Sequence, residues 1–418
     1  MEHLAVWAAT GLAAKILADV LRRAYGFDRP GRITSAARGI ETDVAYALAF
    51  GLALLVVRQI GLDAALLVVI VLRAAAIVGD RIVLASNHAC LELYLAVVCL
   101  RLHDTPVELA AVLQVMAVSM WVYAAFQKAY QREYLDGTYF YFTVRDGYGW
   151  RLDKWATYLK QPLPKVEGAY GPADPRARKM FQWMAVVVLI GETVPPVLGF
   201  ALNGTMGGVL MLLAVAVPVG LSSMETNFMI TNLLVAAVFL VPFEASAFRG
   251  AFGDPVVAGL MGFYLVWPPV HAVLTRSLRV SPWKLVGWGM YSRQKPNVQV
   301  IHPGGELTPL RGSIPARILM EFGACRITWI RDAIRRYFYR WDFKGPSTGL
   351  VFRWRRLEGD RHVTSIVVAQ NAAGTPVQTF ELVDDASAAA FTRYVSSLAL
   401  EPAAGPVPHG SATPVPAV

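Results

Sequence analysis

Long apolar stretches separated by shorter polar connections occupy the first two thirds of the chain. Each approaches the roughly 20 apolar residues that an α-helix needs to cross the hydrocarbon core of a bilayer. The stretches recur at about residues 44–60, 64–79, 83–102, 107–127, 180–202, 206–222, 227–243 and 255–275. The pattern therefore predicts an all-α polytopic membrane bundle with eight transmembrane helices.

A further apolar segment covers residues 4–21, but Lys15 and Asp19 interrupt it. An amphipathic helix lying at the membrane interface would show this pattern, and so would a short transmembrane helix. The two interpretations are equally consistent with the residues. The bundle is accordingly predicted to have eight or nine helices.

The apolar pattern changes to alternation after residue 349. A period of two residues is typical of strands with one buried face, and turn signals separate the alternating segments. These segments are GLVFRWRRL, HVTSIVVAQN and VQTFELV. We expect a small C-terminal α+β region containing a three-stranded antiparallel sheet, with a helix over residues 385–398 that could cover it.

The patterns divide the chain into four parts. The last part is rich in Pro, Ala and Gly without apolar periodicity, which is typical of disorder. The parts are an N-terminal helix with a basic linker (1–40), a transmembrane helical domain with a polar loop at 128–179 (41–275), a basic region with a small β-sheet (276–400) and a disordered tail (401–418).

Composition supports a membrane location. Of the 418 residues, 55% are hydrophobic and only 17% are charged, which is more apolar than a soluble protein of this length requires. The net charge of +9 lies outside the apolar spans: the polar loop 128–179 holds ten Lys and Arg, and residues 276–356 hold sixteen. The positive-inside rule places both regions, and the C-terminus, in the cytoplasm. Such basic stretches fit anionic lipid headgroups, and the sequence contains no nucleic-acid-binding motif.

Polar residues within the apolar spans are the candidate functional residues, because a charged side chain there costs several kcal/mol unless it faces a protein interior. They are Arg73, Asn87, His88, Glu92, Lys128, Glu192, Glu225, Asn227, Asn232 and His271. The three cysteines lack CxxC spacing and the histidines are far apart, so no metal site is expected.

Lys128 and Glu192 each allow two interpretations. Lys128 ends a predicted helix, where a lysine can extend its ammonium to lipid headgroups without any chemical role. Glu192 precedes Pro195-Pro196, a helix break that membranes tolerate only where the backbone is screened from lipid. Glu192 could therefore line a functional cavity, or form a structural ion pair with an arginine such as Arg73.

Four segments together are similar to a known family. They are AFQKAYQREYLDG at 125–137, VLIGETVPPVLGF at 188–200, SSMETNFMITNLLVAAVFL at 222–240 and SPWKLVGWGMYS at 281–292. These segments resemble those of the vitamin K-dependent gamma-glutamyl carboxylases and their bacterial relatives, the horizontally transferred transmembrane domain. The shared features are a lysine near a helix end, a later glutamate followed by proline, and a polar, Asn-containing helix start. The resemblance covers roughly residues 40–292.

The resemblance implies an enzyme of a bacterial inner membrane. Family carboxylases oxidise a reduced quinone with oxygen, and the strong base formed removes a gamma proton from a peptide glutamate, which then takes up carbon dioxide. Lys128 would be the base that deprotonates the hydroquinone, with Glu192 and His88 as further catalytic residues. The cavity for substrate or quinone would be lined by Arg73, Asn87, Glu225, Asn227, Tyr134 and His271.

A competing hypothesis uses the same helical domain without catalysis. The protein would then be a membrane scaffold that binds a peptide or protein partner or assists its maturation. Whether the chain is an enzyme stays open at the level of sequence, as do the substrate, the type of quinone and the oligomeric state. The environment of Lys128 separates the two hypotheses, since a base must be buried and a headgroup anchor must not be.

Overall fold

The computed structural model describes most of the helical region and parts of the C-terminal region. The described residues are 3–24, 36–79, 87–130, 132–144, 168–221, 226–278, 297–309, 349–370 and 377–400. Two compact units are present, one with all the long apolar helices and one with the sheet. The predicted tail 401–418 and the tryptophan-rich segment 281–292 lie outside the described residues.

The first unit is helical throughout its described length. Its helices lie close to the predicted apolar segments, because each apolar run supplies the side chains that bury one helix against the next. The helices are α1 (Leu4–Ala24), α2 (Ala36–Ile60), α3 (Leu62–Gly79), α4 (Asn87–Leu102), α5 (Pro106–Tyr130), the single turn α6 (Arg132–Leu135), α7 (Pro175–Leu202), α8 (Gly204–Leu221), α9 (Thr226–Ala237), the short α10 (Ala245–Ala251) and α11 (Pro255–Leu278).

Three helices are long and apolar enough to cross a membrane, when only the described residues are considered. They are α5, α7 and, over Pro255–Val273, α11. The described parts of α2 and α8 include shorter apolar helices, Tyr46–Ile60 and Gly204–Leu213. The chain is therefore a helical protein with three candidate membrane spans and a C-terminal antiparallel sheet.

The predicted span 227–243 is shorter in the structure. Helix α9 ends at Ala237 and continues as a 3₁₀ turn, Val238–Leu240. The amide of the buried Gln114 on α5 donates to the carbonyls of Val238, at 2.9 Å, and Val241, at 2.7 Å. Because these bonds satisfy carbonyls at the helix end, the chain can leave the helix within the bundle.

A similar compensation allows the two prolines in α11. Pro269 lacks the N–H that would bond to the carbonyl four residues earlier, on Leu265. Tyr123 of α5 donates its hydroxyl to that carbonyl at 2.6 Å. Helix α5 therefore supplies the donor that Pro269 cannot.

Helices α7 and α8 form a hairpin that crosses at Gly199 and Gly207. A Cβ built on Gly207 would overlap the carbonyl oxygen of Gly199, and one on Gly199 would lie 3.1 Å from the carbonyl oxygen of Gly207. Small residues of this kind let two helix backbones approach closely in a membrane bundle.

Substitution of Gly207 by alanine is expected to force the α7–α8 hairpin apart, because the added methyl meets backbone that cannot rotate away. We expect a lower melting temperature in detergent and a smaller yield of folded protein. Gly259→Ala on α11 is the matched control, since nothing lies within 4 Å of a Cβ at that position. Equal melting temperatures for the two variants would contradict the crossing geometry.

The second unit contains a six-stranded sheet, larger than the three strands predicted. Its strands are β1 (Gly171–Pro172), β2 (Asn297–Ile301), β3 (Leu307–Pro309), β4 (Gly349–Glu358), β5 (Arg361–Gln370) and β6 (Val377–Leu382). The order is β1-β5-β4-β2-β3, with β6 also pairing β5, and every pair is antiparallel. The predicted hairpins β4–β5 and β5–β6 are confirmed, and three short strands from earlier in the chain extend the sheet.

Helix α12 (Asp385–Leu400) covers one face of this sheet, as predicted. Its Phe391, Val395 and Leu398 pack against Val351, Val368 and other side chains that alternate along the strands. Asp384 caps the helix by accepting from the backbone N–H of Ser387 at 2.8 Å, and this bond lowers the pKa of the Asp384 carboxyl. The Ser387 hydroxyl in turn accepts from the Asp384 backbone N–H, so the two residues form a reciprocal cap.

Candidate functional site

The chain reverses direction directly after Lys128. Helix α5 ends at Tyr130, and Gly137 adopts φ +83, a conformation that residues with a side chain rarely take. The side chain of Asp136 accepts from the backbone N–H of Thr138 at 2.8 Å and fixes this turn. A π-helical turn, Tyr139–Val144, follows. The turn brings Tyr139 and Phe140 against Tyr134 of α6.

Lys128 and Glu192 form an ion pair between α5 and α7. The Lys128 ammonium contacts both oxygens of the Glu192 carboxylate, with 2.5 Å to Oε2. The Lys128 side chain is 4% exposed, and that of Glu192 is 20% exposed. The ammonium therefore lies inside the protein, while the carboxylate has one partly open side.

Aromatic rings form one wall of this site. The Lys128 ammonium lies 5.8 Å from the centre of the Tyr134 ring, within the range of a cation–π contact. Tyr134 stacks on Tyr139 at 5.4 Å and meets Phe140 edge to face at 5.1 Å. These buried rings exclude water from the lysine, which strengthens its attraction to the carboxylate.

The structure contradicts one of the two interpretations of each residue: the headgroup anchor for Lys128 and the pair with Arg73 for Glu192. A lysine that extends to headgroups would be exposed, whereas Lys128 is buried and paired. Glu192 does not pair with Arg73, because the described contacts of Arg73 are with other carboxylates. The glutamate instead pairs with Lys128 across the contact between α7 and α5.

Arg73 belongs to a second buried group of charges, which we call the four-charge cluster: Lys15, Asp19, Arg73 and Glu92. Lys15 pairs with Asp19 at 2.8 Å and also contacts Glu92. Arg73 bonds to Asp19 at 3.0 Å and to Glu92 at 2.5 Å. Two cations and two anions from α1, α3 and α4 thus neutralise one another in the interior of the bundle.

The four-charge cluster also shows which face of the first apolar segment is buried. Helix α1 packs against α2, α3, α4, α5 and α9. Its Lys15 and Asp19 face the interior rather than an aqueous or headgroup surface. The signal was present in the sequence as two opposite charges four residues apart on one helix face. Their partners Arg73 and Glu92 could not be matched to them without the packing of α3 and α4.

The remaining predicted site residues are only partly described. His271 is buried on α11 beside Trp267, with ring centres 5.7 Å apart. Asn87 and His88 begin α4, and Asn227 and Asn232 lie in α9, but their side chains are outside the described part of the structure, as is all of Glu225. Of the predicted catalytic and cavity residues, the structure brings together Lys128, Glu192 and Tyr134. Tyr139 and Phe140 join them and were not predicted.

Groups of three or more His, Cys, Asp or Glu side chains with metal-binding geometry do not occur among the described residues. No protein-family model matches this chain, and neither the curated proteins nor the solved structures include a significant match.

Proposed function

We propose that the protein is a membrane-embedded enzyme similar to the vitamin K-dependent gamma-carboxylases. It would couple oxidation of a reduced quinone by oxygen to carboxylation of a glutamate in a peptide or protein. The observation that carries the proposal is the burial of Lys128 beside Glu192 and an aromatic wall, at the end of a candidate membrane span. No metal takes part.

The Lys128–Glu192 pair has to change its protonation state for this chemistry. A lysine accepts a proton only as a neutral amine, whereas an adjacent carboxylate favours the ammonium. One proton would have to move from the Lys128 ammonium to the Glu192 carboxylate, which gives a neutral amine and a neutral acid. Lys128 would then take a proton from a hydroquinone that reaches the pair from the partly open side of Glu192.

The proposal includes the finer membrane arrangement that the sequence predicts. Eight or nine helices would cross the inner membrane of a bacterium, with the 128–179 loop and the C-terminus in the cytoplasm. Two reporters are fused after Val418, one that works only in the cytoplasm and one that works only after export. The cytoplasmic reporter is expected to be active and the exported one inactive. The opposite pattern would reverse this orientation.

A non-catalytic scaffold is the second candidate function, and the closed geometry of the ion pair favours it. Both Glu192 oxygens contact the Lys128 ammonium, an arrangement that stabilises the charged form. In that case the pair would serve to join α5 to α7, and the protein would bind a peptide or protein partner without altering it.

Oxygen consumption separates the two candidates. The purified protein in detergent is given a reduced naphthoquinone, and oxygen uptake and the oxidised quinone are measured. Catalysed oxidation is expected in the wild type and in Arg101→Gln, which changes a charged side chain that is half exposed and lies outside the site. Loss of the catalysed rate in Lys128→Met, with the variant still folded, supports the enzyme. Equal rates in wild type and Lys128→Met favour the scaffold.

A further inference from the structure

Two buried polar side chains lie on α5 and α11, two helices that contact each other. Gln127 is fully buried and His271 is 1% exposed. Within the described part of the chain, neither atom of the Gln127 amide and neither ring nitrogen of His271 has a hydrogen-bond partner. Burying an amide and an imidazole without hydrogen bonds opposes folding. Two such side chains on neighbouring helices indicate a shared partner.

The helix contacts place the two side chains within about one helical turn of the same level of the bundle. The Tyr264 hydroxyl of α11 donates to the carbonyl of Met116 on α5, and the Tyr123 hydroxyl donates to Leu265. Asp254, before α11, pairs with Arg101, before α5, so the two helices run in the same direction. At about 1.5 Å per residue, Gln127 lies roughly 6 Å beyond Tyr123 and His271 roughly 9 Å beyond Leu265.

The two side chains also share the faces through which these helices meet. Gln127 follows Met116 by eleven residues and Tyr123 by four, which are spacings of one helix face. His271 follows Tyr264 by seven residues and lies on the same face of α11. Lys128, by contrast, is rotated about 100° from Gln127 and faces α7. The α5–α11 contact is therefore separate from the Lys128–Glu192 pair.

The chemistry of the two side chains defines the molecule that would fit between them. Gln127 offers one acceptor oxygen and an NH₂ donor, and a neutral imidazole offers one donor and one acceptor. Neither carries a charge in these forms, so an ion placed there would lack compensation from them. A small neutral molecule that both donates and accepts hydrogen bonds is complementary to the pair, and water is the smallest such molecule.

We propose that Gln127 and His271 line a hydration site between α5 and α11. One or more water molecules bridge the amide to the imidazole and satisfy the polar atoms of both side chains. Buried waters of this kind typically make about three hydrogen bonds and are costly to remove. This site is independent of the proposed enzyme function and would be present in a scaffold as well.

Radiolytic labelling of the full-length protein in detergent tests the site. X-ray pulses generate hydroxyl radicals from bound water, and mass spectrometry measures oxidation of each side chain. His271 is expected to be oxidised severalfold faster than Tyr264, an equally buried residue of the same helix whose hydroxyl bonds to a carbonyl. Gln127→Met is expected to slow oxidation of His271 severalfold and leave that of Tyr264 unchanged. Equal rates for His271 and Tyr264 in the wild type would overturn the proposal.

Thermal unfolding supplies a second readout. If water occupies the site, Gln127→Met and His271→Phe each remove a partner of that water, and each is expected to lower the melting temperature. If the site is dry, the same apolar substitutions remove an unsatisfied group and raise the melting temperature. His271→Asn keeps a donor and an acceptor. Its melting temperature is expected to fall less than that of His271→Phe. A higher melting temperature in both apolar variants would reject the hydration site.

Discussion

Glu92→Leu is expected to destabilise the helical unit more than any other single substitution considered for this protein. The change leaves Lys15 and Arg73 in the bundle interior with only Asp19 to balance them. Removing one partner from a buried ion pair typically costs about 3–5 kcal/mol, because the charge left behind has lost its solvation in water and its partner. We expect a large fall in melting temperature in detergent and in the yield of folded protein.

A second substitution should restore much of this loss. Lys15→Met combined with Glu92→Leu removes one cation and one anion, and the pair between Arg73 and Asp19 at 3.0 Å remains. Replacing a buried ion pair with apolar residues is often neutral in stability. The double variant is therefore expected to melt at a higher temperature than Glu92→Leu alone.

The control for the four-charge cluster is an ion pair at the surface. Arg101 and Asp254 contact each other at 2.5 Å, but the Arg101 side chain is half exposed. Arg101→Leu is expected to lower the free energy of unfolding by less than about 1 kcal/mol, since solvent screens an exposed pair. The melting temperature could fall by the same amount in Arg101→Leu and Glu92→Leu, or fail to recover in the double variant. Either result would show that burial of the cluster is not what makes Glu92 important.

The sequence predicts the positions of the helices well because each long apolar run forms a helix. The difference at α9 has a local cause: Gln114, on another helix, satisfies the carbonyls at its end, and no property of residues 227–243 alone reveals that. The hairpins β4–β5 and β5–β6 follow from alternation and turn residues. The additional strands β1–β3 have two to five residues each, too few for a periodic signal.

The candidate site is predictable only in part for a related reason. Lys128 and Glu192 stand out because each is a single charge at the edge of or within an apolar run. Their contact depends on which faces of α5 and α7 meet, and so does the separation of Arg73 into the four-charge cluster. Composition cannot distinguish these pairings, since Lys128 and Arg73 are both cations that Glu192 could have met.

Lys128→Arg is expected to abolish oxidation of the reduced quinone while leaving the protein folded. The guanidinium keeps the positive charge and can bond to both Glu192 oxygens, so the contact between α5 and α7 survives. It does not give up its proton in proteins, so it cannot become the neutral base that the proposed reaction requires. Loss of a general base typically lowers the rate by about 10²–10⁴-fold.

The charge-conserving substitution is more informative than removal of the side chain. Lys128→Ala leaves the partly buried Glu192 carboxylate without its cation, so a loss of activity could reflect a loss of structure. In Lys128→Arg, an unchanged melting temperature together with a lost oxidation rate assigns the lysine a chemical role. If the lysine only joins α5 to α7, arginine serves equally well, and full activity or full support of a partner's maturation persists. Retention of the wild-type rate in Lys128→Arg would therefore end the general-base hypothesis and favour the scaffold.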